Sequence, residues 1–296
     1  MLFDKCEGET SSDLVRKVKK FLKIKKVGHS GTLDPFATGL LIVLLGQGTK
    51  LSRYLMAGEK KYTAVMHLGM ETDTMDSTGE VICSKPIVGL DSDRIERTVQ
   101  EFTGEIEQIP PIFSAVKING EPAYKLARRG LKVALIKRNV TVHSMEIISI
   151  DLPRVTLNIR CSGGTYIRSL ASDIGKRLDS CACLSALRRT GSGPFDVKNA
   201  IKSEEIGDTY TADHIFDNVI SLRDALTDVG EIKINKMMAE KIRNGFKPDW
   251  SHVSEISKLE DSYKGFLKFV YGSELVAIMD VDRLQDNWIR KIRIFN

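Results

Sequence analysis

The sequence predicts an α+β fold: a mixed, largely antiparallel sheet in the main domain, followed by a small β-rich domain. Three patterns carry this reading. Residues 62–68 and 154–161 alternate apolar and polar side chains with the period of half-buried strands. Helical spacings occur between such strands at irregular intervals, without the repeated βαβ units of a doubly wound sheet. Near residues 228–232 the pattern changes and short strands follow, which divides the chain into a domain over 1–228 and a second over 229–296.

Taken in order, Ser11 or Ser12 is the expected N-cap of a first helix, in which Leu14, Val15, Val18, Phe21 and Leu22 form the apolar stripe. Lys17, Lys19 and Lys20 then fall on its exposed face. Residues 39–46 are the longest apolar run and have the length of a strand. In 62–68, Tyr62, Ala64, Met66 and Leu68 face one way, which leaves His67 on the opposite, surface side. A helix over 91–103 presents Ile95, Val99 and Phe102 and ends at Gly104, suited to a left-handed C-terminal position. The strand over 154–161 runs into Ser162-Gly163-Gly164-Thr165, and Ile167, Leu170, Ala171, Ile174 and Leu178 then return to helical spacing, with Tyr166 and Arg168 at the helix start. In the second domain, a helix over 235–244 ends at Gly245, strands over 266–271 and 275–281 flank Gly272-Ser273 as a hairpin, and 289–295 form a last strand.

Composition excludes several classes. A hydrophobic content of 42% over 296 residues is that of a globular chain with a core. No stretch approaches the roughly 20 apolar residues of a membrane helix. The N-terminus, MLFDKCEGET, has acidic residues where a secretory leader would be basic and then apolar, so a cytoplasmic protein is expected. Five cysteines show no framework spacing, and Cys181 and Cys183 form C-x-C rather than paired C-x-x-C, so buried or incidental thiols are expected and no metal site. The histidines, His29, His67, His143, His214 and His252, are scattered. The net charge of +5 is modest, but basic residues cluster at 16–26, at Lys60 and Lys61, at Lys125, Arg128 and Arg129, and at Arg188 and Arg189. Any one cluster reads as a solvated face; several beside the same motifs suggest a phosphate-tracking surface.

Chemistry concentrates in residues 27–39, Val-Gly-His-Ser-Gly-Thr-Leu-Asp-Pro-Phe-Ala-Thr-Gly. Gly28, Gly31 and Gly39 permit close backbone approaches, and Pro35 drives Asp34 toward an extended conformation. Taken alone this is an Asp-Pro turn; with its neighbours it is a loop built to hold one carboxylate. Gly28-His29-Ser30-Gly31 lacks the spacing of a nucleophile elbow, and Gly46-Gln47-Gly48-Thr49-Lys50 lacks that of a P-loop.

The run GHSGTLDPFATGLLIVLLGQGTKL resembles the catalytic motif of the TruB family of pseudouridine synthases. In family order, DKCEGETSS, KKYTAVMHLGMETDTMDSTGEV, QIPPIFSAVKINGEPAYKLARRG, CSGGTYIRSLASDIG and LSALRRTGSGPF resemble its other motifs, so the likeness spans roughly residues 2–196. Cys6 stands where the family usually has proline and Ser30 where it has threonine.

The resemblance implies isomerisation of uridine to pseudouridine at position 55 in the TΨC arm of tRNA, on a pseudouridine-synthase catalytic domain with an RNA-binding insertion at about 108–132. The second domain resembles a reduced PUA-type RNA-binding module. No cofactor is implied, since nothing is oxidised and no group enters or leaves. Asp34 takes the catalytic role by resemblance, either as a nucleophile at the sugar or by attack on the base ring; both routes stay open. Burial disfavours its charged form, which calls for a fixed cation, and Arg168 matches the family's motif arginine. Tyr62 matches the tyrosine that stacks on the everted base and takes part in proton movement. Tyr166 and Leu187 match pocket residues, His29 the histidine that supports the everted RNA, and Lys5 is a further substrate-binding candidate. Lys125, Arg128, Arg129, Arg188 and Arg189 are expected on the RNA backbone. The expected partner is tRNA, with no membrane, no obligate protein partner and a monomeric state. Two other readings differ in class: a non-catalytic tRNA-binding or folding chaperone, which has no need of the Asp34, Tyr62 and Arg168 set, and a guide-RNA-dependent synthase.

Overall fold

The computed structural model describes residues 1–114, 116–118, 120–131, 135–248, 264–282 and 289–296. His252 and part of the 108–132 insertion lie outside the described residues, as does the side chain of Arg128. In chain order the elements are β1 (Leu2–Lys5), α1 (Ser11–Phe21), β2 (Val27–Ser30), β3 (Thr38–Leu45), α2 (Ser52–Ala57), β4 (Lys60–Leu68), β5 (Met70–Thr72) and β6 (Val81–Ser84). There follow α3 (Ser92–Glu101), β7 (Gly104–Gln108), β8 (Lys117–Ile118), β9 (Glu121–Pro122), α4 (Ala123–Arg128), β10 (Arg138–Asp151), β11 (Arg154–Cys161), α5 (Ile167–Arg177) and β12 (Ala182–Ser192). Last come β13 (Phe195–Asp196), β14 (Ile201–Lys202), α6 (Ala212–Asp217), β15 (Gly230–Lys233), α7 (Lys236–Arg243), β16 (Lys264–Tyr271), β17 (Glu274–Asp282) and β18 (Ile289–Ile294).

A ten-stranded mixed sheet runs β14-β1-β3-β12-β4-β11-β10-β7, with β2 on β3 and β13 on β12. Within this sheet, among the described residues, only β1–β14 and β3–β12 pair in parallel, so the α+β reading with a mostly antiparallel sheet holds. The alternation in β4 buries Tyr62, Ala64, Met66 and Leu68 against α5, whose Ile167, Leu170 and Ile174 close the main core, while His67 lies half-buried on the other face. β3 is buried on both faces because α1 covers Leu41 and Val43 while Leu40, Ile42 and Leu44 meet residues of the second sheet. That second sheet, β15-β16-β17-β18, packs on α7.

Two local expectations are corrected. The N-cap of α1 is Thr10, in a reciprocal capping box with Asp13, rather than Ser11 or Ser12. Ser11 is buried and otherwise engaged: its hydroxyl donates to Leu33 O at 3.0 Å and accepts from Leu33 N at 2.9 Å. Cys83 and Cys181 form a disulfide rather than two incidental thiols, because Gly69 N donates to Cys181 O and folds the β5–β6 hairpin back on the start of β12. Their Cα atoms lie 6.5 Å apart, within bridging range. Cys183 remains a buried thiol whose pKa burial pushes up to about 11.

Candidate active site

The loop joining β2 to β3 is fixed from several sides, which explains its density of turn residues. Ser11 clamps both backbone groups of Leu33, and Gly8 N donates to Pro35 O at 2.9 Å. Lys5 is wholly buried beneath the loop, its ammonium donating to Cys6 O, Glu9 O and Pro35 O at 2.8, 2.7 and 3.2 Å. Arg189, also buried, donates to Leu40 O at 2.7 Å and Gly31 O at 3.1 Å. Gly39 is required: it pairs with Arg189 across the parallel β3–β12 contact, and a Cβ there would lie 2.3 Å from Arg189 O.

Two residues expected to meet the RNA are thus turned toward the loop. Lys5, a substrate-binding candidate from sequence, has its donors engaged by loop carbonyls and is shut off from solvent, a place from which it holds the loop. Arg189 lies in the pocket wall with its guanidinium on backbone carbonyls, so it is no surface phosphate contact. Arg188 stays partly exposed at the rim, in a two-pronged pair with Asp4 at 2.6 and 3.0 Å.

Above the loop opens a cavity of about 230 Å³ lined by Asp34, Tyr62, Tyr166, Arg168 and Leu187 together with Lys60, Ser114 and Arg189. The strand register explains the grouping, since β12 sets Leu187 beside Ala64 and Arg189 beside Tyr62 of β4. The Gly163-Gly164 turn then starts α5 so that Tyr166 and Arg168 enter from the opposite side; Tyr166 is held through both its backbone groups by the Gln108 side chain. His29 lies outside the cavity lining, on β2, its ring half-buried and its Nδ1 without a partner among the described residues.

Arg168 Nε meets Asp34 Oδ2 at 2.9 Å. The rest of its fork is committed: Nη1 donates to Thr74 O at 2.9 Å and meets Asp76 Oδ2 at 3.4 Å, and Nη2 donates to Phe113 O at 2.9 Å. A cation in the first turn of a helix opposes the helix dipole, and these four partners account for its place there. Asp76 was not singled out from sequence. It is buried, and it accepts from Thr74 Oγ1, Thr78 N and Thr78 Oγ1 at 2.8, 3.0 and 2.5 Å. The sequence signal available for it was Thr-Asp-Thr-Met-Asp-Ser-Thr-Gly, an acidic residue ringed by hydroxyls that fix it locally. Lys60 was likewise read only as part of a basic cluster. It is buried, and its ammonium serves Leu55 O, Met56 O and Gly58 O at the end of α2, where burial lowers its pKa to about 8.

Burial raises the Asp34 pKa, and Arg168 pulls against that shift. Tyr62 is also pushed up by burial, so its phenol stays protonated at neutral pH and can donate. The consequence for rate has a definite sign. A reaction that needs Asp34 ionised loses rate as pH falls through a folded-state pKa above the ordinary 3.8, so the acid limb of log(kcat/KM) lies above that value. A pH–rate profile on a ligand that stays folded in acid checks this, and a limb at or below 3.8 contradicts it.

A mixed sheet thus carries a pocket in which one carboxylate is held against an arginine and walled by tyrosines, and comparison with known proteins places a chain of this kind among the pseudouridine synthases. The TruB family pseudouridylate synthase N-terminal model matches residues 19–167, and the tRNA pseudouridylate synthase B C-terminal domain model matches 168–232. The tRNA pseudouridine synthase B of Syntrophus aciditrophicus is 40% identical over 309 residues, covering all of this chain and 98% of that one. Its counterpart from Geobacter sulfurreducens is 39% identical over 302 residues, covering 100% and 99%. Among solved structures, a chain of a Cbf5-Nop10-Gar1 complex superposes with a TM-score of 0.73 at 27% identity, over 99% of this chain and 83% of that one. The chain belongs to the TruB family of pseudouridylate synthases.

Proposed function

We propose that this protein converts uridine to pseudouridine at position 55 in the TΨC loop of tRNA, with Asp34 as the catalytic carboxylate. The observation that carries the reading is the Asp34–Arg168 pair at 2.9 Å in a pocket walled by Tyr62, Tyr166 and Leu187. The target uridine lies in a folded RNA loop, so it must leave its stack and enter such a pocket, where Tyr62 replaces the missing stacking. Arg168 keeps Asp34 available as the anion against burial, and Lys5, Ser11 and Arg189 hold its loop at the right height. The reaction balances within the nucleotide: the N1–ribose bond breaks, C5 bonds to the same ribose carbon, and the C5 proton is released as N1 gains one. No cofactor and no metal enter that scheme. Among the described residues no cluster of three or more His, Cys, Asp or Glu is arranged to hold a metal ion, and no helix is long and apolar enough to cross a membrane. We read the protein as a cytoplasmic monomer acting without a protein partner.

The decisive experiment incubates purified protein with one unmodified tRNA transcript, no guide RNA added, and maps pseudouridine at nucleotide resolution. A single product at position 55 is expected. No product overturns the enzymatic reading, and product only with a guide RNA replaces it by the guided one.

The role of the basic cluster on the RNA backbone is tested separately. Lys125 is exposed on α4 and Arg129 pairs with Glu121 at 2.7 Å on the surface, an exposed pair weak enough for a phosphate to displace. Replacing Lys125, Arg128 and Arg129 together by glutamine should weaken binding of any tRNA and flatten its salt dependence, by roughly 0.7 to 0.9 ions for each phosphate that is no longer neutralised. Position choice should hardly change. Titrations at several salt concentrations decide, and a slope equal to that of the wild type removes these three residues from the RNA backbone.

A further inference from the structure

From the same pocket, and resting on the reading above, we infer that the Ser114 hydroxyl is the hydrogen-bond partner of the Watson–Crick edge of the everted uracil. Of the buried charged groups in the cavity wall, those of Lys60, Arg168 and Arg189 are all committed to carbonyls or carboxylates. Ser114 differs. The residue is 4% exposed and lines the cavity, yet its Oγ has no hydrogen-bond partner among the described residues. Its backbone, by contrast, is satisfied on both sides: the N–H donates to Ile112 O at 3.0 Å, and the C=O accepts from Tyr124 N at 3.1 Å. A buried hydroxyl left unpaired destabilises a fold, and one that faces a cavity is open to a partner that the cavity receives.

The position of Ser114 is set by the helix that carries the Asp34 partner. Gln108 holds both backbone groups of Tyr166, Ser169 Oγ donates to Ile109 O at 2.8 Å, and Arg168 Nη2 donates to Phe113 O at 2.9 Å. Residues 108–114 are thus tied to the start of α5 at three points, the last of them one residue before Ser114. The hydroxyl therefore has a place fixed relative to Asp34, although it stands at the base of an insertion. A uracil edge presents two carbonyl acceptors flanking an N–H donor, and a hydroxyl, being both donor and acceptor, can serve either kind of atom.

Ser114→Ala, with Ser114→Cys as a near-isosteric second variant, tests the assignment through three readouts. On an unmodified T-arm hairpin both variants should lose about tenfold or more in single-turnover kcat/KM, because the base keeps a polar atom unpaired in a dry pocket. Thermal unfolding of free Ser114→Ala should match or exceed that of the wild type, since the substitution removes an unpaired buried hydroxyl. A hairpin with an abasic target nucleotide should compete equally well against both proteins. Unchanged kcat/KM overturns the role. So does a fall in unfolding temperature without a kinetic loss, which marks the hydroxyl as structural. Weaker competition by the abasic hairpin against the variant moves the contact from the base to the RNA backbone and overturns the edge assignment. If the wild type itself forms no pseudouridine, the failure belongs to the proposed function and not to Ser114.

Discussion

Asp34→Asn is expected to abolish pseudouridine formation, by more than about 10⁴-fold in single-turnover rate, as removal of a residue that bonds to or directly drives the reacting centre does. The substitution keeps the shape of the side chain and one acceptor oxygen but removes the charge. Arg168 is not stranded by it, because Thr74 O, Asp76 and Phe113 O still occupy its fork. Nor should the loop shift, since Lys5, Ser11 and Arg189 hold it through the backbone rather than through the carboxylate. Stability should therefore stay near that of the wild type, and tRNA affinity within about tenfold, or ~1.4 kcal/mol. Product mapping and filter binding on the same preparation check the pair of statements. Turnover within tenfold of wild type would remove Asp34 from the chemistry.

What the sequence made legible was local. Period-two alternation placed β4 and β11, and with them the inward face that Tyr62 occupies, because a strand's burial pattern is written in consecutive residues. The Gly-Gly turn and the helix after it likewise announced Arg168. Contacts between distant segments were not legible. Asp76 and Arg168 are 92 residues apart, and no spacing rule joins them. Arg188 and Arg189 read alike as a basic pair, yet strand alternation sends the first to Asp4 at the rim and the second inward to the carbonyls of the Asp34 loop. Ser11 looked like a cap because serine caps helices; Thr10 takes that role and frees Ser11 to clamp Leu33. The disulfide escaped for the same reason, since Cys83 and Cys181 stand 98 residues apart and meet only when the β5–β6 hairpin folds back on β12.

Arg168→Met should have the second large effect, and it separates electrostatics from shape. Methionine fills much of the volume but removes the cation that Asp34 and the buried Asp76 share, and it strands the carbonyls of Thr74 and Phe113. Breaking a buried ion pair by deleting one partner costs about 3–5 kcal/mol; the Asp34 side chain is 34% exposed, which argues for the lower end, about 3 kcal/mol at neutral pH. The pH dependence follows from sign. Arg168 is the cation that holds the Asp34 pKa down against burial, so without it that pKa rises further above its unfolded value. An acid whose folded pKa is raised destabilises the fold as pH climbs from its unfolded to its folded pKa, fully so above the latter, and protonation at lower pH relieves it. The stability deficit relative to the wild type should therefore shrink when the pH is lowered from neutral toward the ordinary carboxylate value of 3.8, while the acid limb of any residual activity moves upward. Arg168→Lys supplies the control: it restores the charge but cannot engage four partners in a planar fork, so it should recover more of the stability than of the rate. Denaturant unfolding at neutral and at lower pH, with single-turnover rates for both variants, decides between these outcomes. A deficit that grows on acidification would show that Arg168 is not what keeps Asp34 ionised, and the electrostatic role assigned to it would have to be withdrawn.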